Sequence, residues 1–185
     1  LEHNIKILKT YISGHTKFLA VVKADAYGHG STMAAPTLLA SGVDMLGVAS
    51  VDEGIQLRDA GIDAPILVLG AAPCWAFPSA VEKDIQLSIF TDEHVKACID
   101  TYKKLHKRPK VHIKVDTGMH RIGICYAEAA EFVKQVANID EIELEGLFTH
   151  LACAENQKNS LKQKHNWQSV INEISSINTC IHAVN

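Results

Sequence analysis

Lys23 closes an apolar run, Phe18-Leu-Ala-Val-Val22, and opens the stretch Lys23-Ala-Asp-Ala-Tyr-Gly-His-Gly30. A lysine at the mouth of such a run loses solvation of its charged form, which favours the neutral amine, the nucleophile of Schiff-base chemistry. Taken alone, the residue has a bland alternative, a lysine that snorkels to solvent or pairs with a carboxylate. Tyr27, with glycines at 28 and 30, offers a hydroxyl to an anionic group where the backbone allows close approach. Asp25 would favour the charged lysine if it turned inward, and alternation along an extended segment leaves that direction open.

A second candidate region is Val111-His-Ile-Lys-Val-Asp-Thr-Gly-Met-His-Arg-Ile-Gly123. It places Lys114 inside an apolar strand and Arg121, an always charged fork of donors, shortly after Asp116-Thr-Gly118. By itself Arg121 reads as a surface arginine after a turn. His150 ends a third run, Leu144-Glu-Gly-Leu-Phe-Thr-His150, and its plain alternative is a satisfied core histidine. Cys153 lies close by without any visible base or oxyanion partner, and reads as a small buried residue. The ten histidines include no HExxH or other tight ligand spacing, so a metal site is unsupported. Tyr102-Lys-Lys-Leu-His-Lys-Arg-Pro-Lys110 is basic, but reads as a solvated helix end that Pro109 terminates.

The elements that must position these residues alternate. Phe18–Val22, Leu46–Ala49, Ile66–Leu69, Leu87–Phe90, Val111–Val115, Leu144–Phe148 and Cys180–Val184 are strand-like apolar runs. Residues 31–41, 51–60, 92–106, 126–138 and 159–175 read as helices between them. Apolar strands separated by helices predict parallel pairing covered on both faces. Seven such units with no glycine-rich dinucleotide fingerprint favour a barrel, with a doubly wound open sheet as the alternative. A closed (β/α)₈ barrel takes eight strands and about 200–250 residues. The chain is thus expected to stop one strand short. No internal repeat or linker is visible, and the region is expected to be one domain.

Composition narrows the class. The chain has 185 residues, 47% of them hydrophobic and 21% charged, which excludes a disordered or collagen-like protein. A formal net charge of −3 supplies no electrostatic footprint for nucleic acid or an anionic membrane. Five scattered cysteines with no CxxC pair signal neither a disulfide framework nor a zinc site, and fit a reducing, cytoplasmic setting. No apolar run reaches the roughly 18 residues of a membrane span. The chain starts at Leu1 rather than Met and ends inside an apolar run, so it is expected to be part of a longer protein.

Val22-Lys-Ala-Asp-Ala-Tyr-Gly-His-Gly30 closely resembles the pyridoxal phosphate attachment motif of alanine racemases, differing mainly in having Asp25 where Asn is usual. Two further blocks, Val111–Gly123 and Gly146–Glu155, fall in that family's order and approximate spacing. Ile181-His-Ala-Val-Asn185 looks like the start of a fourth, so the resemblance covers the whole chain. It implies a fold-type III pyridoxal 5'-phosphate enzyme with a TIM-type barrel, truncated here after about seven strands. Residues 1–185 would form part of that cofactor-binding domain, and a C-terminal β domain, absent from this chain, would complete a cytoplasmic homodimer. The implied activity is interconversion of L-alanine and D-alanine, supplying D-alanine for peptidoglycan.

The resemblance also implies roles. Lys23 would be the covalent anchor of the cofactor and one of two groups that move the substrate α-proton. Tyr27 would be a phosphate ligand, Leu69 an apolar neighbour of the cofactor ring, His150 a residue packed on that ring, and Asn185 a residue at the cofactor edge. Arg121 would lie near the cofactor's phenolic oxygen and the substrate carboxylate. Lys114 matches a lysine that is carboxylated in some members. The second base would be a tyrosine from the partner subunit's C-terminal domain, so residues 1–185 alone are expected not to racemise efficiently. Three competing readings are a racemase for serine or another small amino acid, a non-catalytic pyridoxal phosphate carrier, and a barrel decarboxylase.

Overall fold

The structure, a computed structural model, describes residues 1–184 and comprises two compact units, one over residues 1–87 and one from Ser88 onward. In the first, β1 (Leu19–Val21), β2 (Met45–Val48) and β3 (Ile66–Val68) pair in parallel, with Leu19 opposite Met45 and Leu46 opposite Ile66. Gln86 extends the pairing beside β3, accepting the Val68 N–H at 2.9 Å and donating to the Ile66 carbonyl at 2.8 Å. Five helices accompany these strands: α1 (Glu2–Lys9), α2 (Lys23–Gly28), α3 (Ser31–Ala40), α4 (Val51–Asp59) and α5 (Phe77–Glu82). All three residues of β3 are buried, as its unbroken apolar run predicts for a strand covered on both faces. Leu46, Leu57, Ile66, Leu67 and Phe77 form the fully buried centre of this unit.

Arg58, in the last turn of α4, holds the loops at the far end of these elements. Its guanidinium donates to the carbonyls of Lys83 and Asp84 at 2.9 and 2.8 Å, and to those of Ile62 and Ala64 at 2.5 and 2.7 Å. Partial burial pushes its ionisation below the usual arginine range, opposed by the nearby Asp84 and Asp63 carboxylates.

β4 (Leu87–Ile89) leads into the second unit, whose strand order is β4, β5 (Lys110–Asp116), β7 (Glu143–His150), β8 (Cys180–Val184). A two-residue β6 (Ile124–Cys125) adds to β5 opposite Val115 and Asp116. The helices are α6 (Asp92–Leu105), α7 (Tyr126–Ala137) and α8 (Gln157–Glu173). Thr91 caps α6 through the His94 N–H at 3.2 Å, and His106, at φ 52°, ends it before Pro109, the stop that the sequence announces. Asn156 caps α8 in the same way through Asn159.

The seven predicted strands and five predicted helices are all present within a few residues of their expected limits. The sequence reading did not assign α1, α2, α5 and β6. The first lies before any strand signal, and the other three are too short to express a period. Cys153, expected to be buried, is exposed. It sits at φ 51° in the loop after β7, where the chain turns outward instead of continuing into the core.

Candidate active site

In the first unit the site begins where β1 ends. Val22 donates its N–H to the Gly47 carbonyl at 2.8 Å, extending the β1–β2 ladder by one bond, and Lys23 follows, half-buried. The next four residues, Ala24, Asp25, Ala26 and Tyr27, take φ 50–54° and ψ 37–50°, one turn of left-handed helix. Each such residue costs about 1–2 kcal/mol relative to the right-handed form, so the turn persists only because its surroundings hold it.

Several bonds do so. Ala26 donates to the Val22 carbonyl at 2.9 Å, and Gly30 donates to the Asp25 carbonyl at 3.0 Å. The Asp25 carboxylate accepts the Ser31 N–H at 2.6 Å, at the start of α3. The Asp25 carboxylate thus satisfies the first N–H of α3, one of the donors that a helix start leaves without an intrahelical partner. Tyr27, 65% exposed, carries its hydroxyl outward from the turn, and Gly28 and Gly30 follow at φ 88° and 80°, values natural to glycine alone.

Leu69, one residue past β3, donates its N–H to the Val48 carbonyl at 2.8 Å. A Cβ at Gly47 would lie 2.8 Å from Leu69 Cδ1 and 2.9 Å from Leu19 Cδ2. Glycine at 47 is what lets these two leucines lie over β2.

In the second unit, β5 carries Lys114, only 3% exposed, with its Nζ 4.9 Å from the centre of the Phe148 ring. Burial lowers the Lys114 amine to about 8; the Asp116 carboxylate opposes that fall and the Arg121 guanidinium adds to it. Asp116, at the end of β5, gathers the loop that leads to Arg121. Its Oδ1 accepts the N–H groups of Gly118, Met119 and His120 at 2.9, 2.9 and 3.1 Å. Partial burial pushes the Asp116 carboxyl up, but these N–H groups and the His120 ring outweigh it and hold the carboxyl below its usual range. Arg121 is exposed just beyond this loop.

His150 ends β7, half-buried. Behind it lies a network that the sequence reading missed. The Gln163 amide donates to the Thr117 hydroxyl and to the His150 carbonyl, both at 3.3 Å, while its oxygen accepts the Ala152 N–H at 3.0 Å. Thr149 donates to the Val115 carbonyl at 3.0 Å, so the 2.8 Å contact between the two threonine hydroxyls has Thr117 as donor. Asn166 adds a bond to the Thr117 carbonyl at 3.0 Å. Two loops and one strand end are thereby pinned by a single face of α8. The signal lay in the stripe Gln163, Asn166, Val170, Ile174, whose helical spacing puts two amides at core positions.

Beside Lys114, His112 and His182 share a 2.9 Å hydrogen bond, and the His182 ring stacks on Phe148 at 5.0 Å and 8°. Burial, then the neighbouring positive partner in each case, holds both imidazoles well below the ordinary histidine range. A Cβ on Gly146, which pairs with His112, would collide with the imidazole. Asn185 lies outside the described residues.

A half-buried lysine followed by an outward tyrosine hydroxyl suits a phosphorylated aldehyde, and a buried amine beside an exposed guanidinium suits an anionic partner. Comparison with known proteins identifies the family. A family model described as alanine racemase, N-terminal domain, matches residues 1–185. The chain belongs to the alanine racemase family. It is 39% identical over 179 residues to alanine racemase 1 of Oceanobacillus iheyensis, covering 95% of this chain and 48% of that protein. An alanine racemase of Clostridium difficile 630 in complex with cycloserine superposes with a TM-score of 0.93 at 33% identity, covering 100% of this chain and 52% of the other. A histidine racemase from Leuconostoc mesenteroides superposes with a TM-score of 0.89 at 30% identity, covering 100% and 50%.

The chain spans about half the length of the relatives it matches. Its fold is the α/β barrel type of the family's N-terminal domain, truncated, in agreement with the strand count. No helix among the described residues is long and apolar enough to cross a membrane.

Proposed function

We propose that the protein carrying this segment interconverts L-alanine and D-alanine with pyridoxal 5'-phosphate, in the cytoplasm and as a homodimer, and that residues 1–185 are its cofactor-binding barrel portion. The observation that carries the reading is the placement of Lys23 at the end of β1, directly before a left-handed turn that presents the Tyr27 hydroxyl. When bound, the cofactor supplies an electron sink for the charge left on the α-carbon.

The chain's own residues do the rest. Lys23 anchors the cofactor and exchanges a proton with the substrate α-carbon on one face. Tyr27 donates its hydroxyl to the phosphate, Leu69 provides apolar surface for the ring, and His150 packs against it. Arg121 binds the substrate carboxylate, a task suited to a rigid fork of donors. Lys114, with its amine lowered to about 8, holds a neutral fraction near neutral pH that can add to carbon dioxide, forming an N–C bond and releasing a proton to solvent, and the resulting carbamate turns a repulsive neighbour of Arg121 into an anionic one. Asn185 would serve at the cofactor edge. A racemase for another amino acid is the second reading, favoured by the likeness to the histidine racemase.

The test uses the full-length protein with pyridoxal phosphate, borohydride reduction, mass spectrometry of the adduct, and racemisation assays across a panel of amino acids. An adduct on Lys23 with fastest turnover of alanine is expected. No adduct, or one on another lysine, overturns the reading, and fastest turnover of a different amino acid selects the second.

A further inference from the structure

β2 is followed by Ser50-Val-Asp-Glu53, the first turn of α4, in which the Ser50 hydroxyl accepts the Glu53 N–H at 3.3 Å. In this sequence pattern the glutamate carboxylate ordinarily folds back onto the N–H of the capping residue. Glu53 instead reaches past it. Its Oε2 accepts the N–H of Ala49 at 2.7 Å, and its Oε1 accepts the N–H of Ala24 at 2.8 Å.

Ala24 is the residue directly after Lys23 and the first of the four left-handed residues. We propose that Glu53 is a positioning residue for Lys23: its carboxylate, shared between the N–H groups of Ala24 and Ala49, clamps the left-handed turn to the end of β2 and so sets the direction in which the lysine is presented. The inference rests on Lys23 being the cofactor's anchor.

The geometry explains why this one carboxylate matters. The bond from Val22 to the Gly47 carbonyl pins the backbone before Lys23, and the bond from Ala26 back to Val22 closes the turn beyond it. Between these two points, the Lys23–Ala24 peptide is held from outside by Glu53. Returning Ala24 to the right-handed region would relieve strain and swing that peptide, carrying the Lys23 Cα with it. The bond to Glu53 opposes that motion. Each of the two N–H donors meets its own oxygen, and a carboxylate supplies two such oxygens where an amide supplies one. The two anchor points lie just beyond the ends of β1 and β2, parallel strands that already pair with one another, so the clamp spans neighbouring strand ends.

The test compares full-length wild type with Glu53→Gln and Glu53→Asp, the second keeping the charge on a side chain one methylene shorter. Four quantities are read: the Kd for pyridoxal phosphate of the cofactor-free protein, the yield of borohydride-trapped adduct on Lys23, kcat against KM for alanine, and the melting temperature. Glu53→Gln is expected to raise Kd about tenfold and lower kcat by roughly ten- to a hundredfold, with KM within about twofold, because misplacement of a reacting group costs rate more than it costs substrate binding.

Ser50→Ala is the control, since it removes the cap of the same helix and keeps the carboxylate; it should leave Kd and kcat within about twofold of wild type. Wild-type values for Glu53→Gln overturn the clamp, as does an equal loss in Ser50→Ala, which would trace the effect to the helix. If Glu53→Gln does not fold, Glu53→Asp decides, and wild-type behaviour there overturns the proposal. A wild type that yields no adduct on Lys23 refutes the functional reading itself, whereas a competent wild type matched by both variants refutes the clamp alone.

Discussion

The Gln163 side-chain amide donates to the Thr117 hydroxyl at 3.3 Å, joining α8 to the loop that leads to Arg121. The same amide group also bonds the His150 carbonyl and the Ala152 N–H, so both donors and the oxygen of one buried side chain are engaged. Gln163→Leu keeps the approximate volume and removes all three bonds, the acceptor of the Ala152 N–H among them. An unsatisfied buried group costs about 1–3 kcal/mol, so a loss of about 3 kcal/mol is expected, with faster hydrogen exchange at the Ala152 amide. Denaturant unfolding and exchange of the full-length protein check it. Unchanged exchange at Ala152 would show that the loop does not depend on this bond.

Arg58 tests the opposite end of the first unit. Its guanidinium bonds four carbonyls from two loops, a pattern that lysine, a point charge with three donors on one atom, cannot reproduce. Arg58→Lys keeps the charge and is expected to cost about 2 kcal/mol, discounted for the partial exposure of the bonds to Lys83 and Asp84. A shift in thermal melting of less than about a degree would contradict it.

Gly146 pairs with His112 across β5 and β7, and the imidazole occupies the place of a side chain. Gly146→Ala must therefore displace a buried ring that is also bonded to His182. The expected cost is about 1–3 kcal/mol, the usual penalty of overpacking. His112→Ala in the same chain should recover part of it, and a double-mutant cycle measures the coupling.

The same histidines give stability a pH dependence. In the unfolded chain both imidazoles take up a proton near pH 6.5, whereas in the folded chain burial keeps them neutral well below that value. Below about pH 6.5 the unfolded state thus binds more protons, and stability falls with acid; above it their contribution is complete. Lys114 acts at the other end of the scale. Its amine sits at about 8 when folded and near 10.4 when unfolded, so the unfolded state binds more protons between these values and stability rises with pH across that window. Urea midpoints measured across the pH range should show both slopes, and replacing His112 and His182 with apolar residues should flatten the acidic one.

The candidate site residues could be named from the sequence because they sit in contiguous blocks at strand ends. Lys23 and Tyr27 share one run, Lys114 and Arg121 another, and His150 closes a third. The strands were legible too, because burial on both faces favours apolar runs such as Ile66–Val68. The groups that hold those residues in place were not. Glu53 is 29 positions from Ala24, and Gln163 is 46 from Thr117. Such bonds leave no periodic trace.

By itself, then, the sequence determined the alternation of strands and helices and the identity of the chemical groups, since both follow from local period and side-chain type. Only the tertiary structure decided that Ala24 to Tyr27 wind left-handed, that the Asp25 carboxylate takes the first N–H of α3, and that Glu53 and Gln163 turn their polar groups onto backbone far away in the chain. A strained turn and a buried amide have no local preference that announces them. They exist because packing brings distant donors and acceptors together, and because a buried N–H or carbonyl left without a partner costs more than the strain of reaching one.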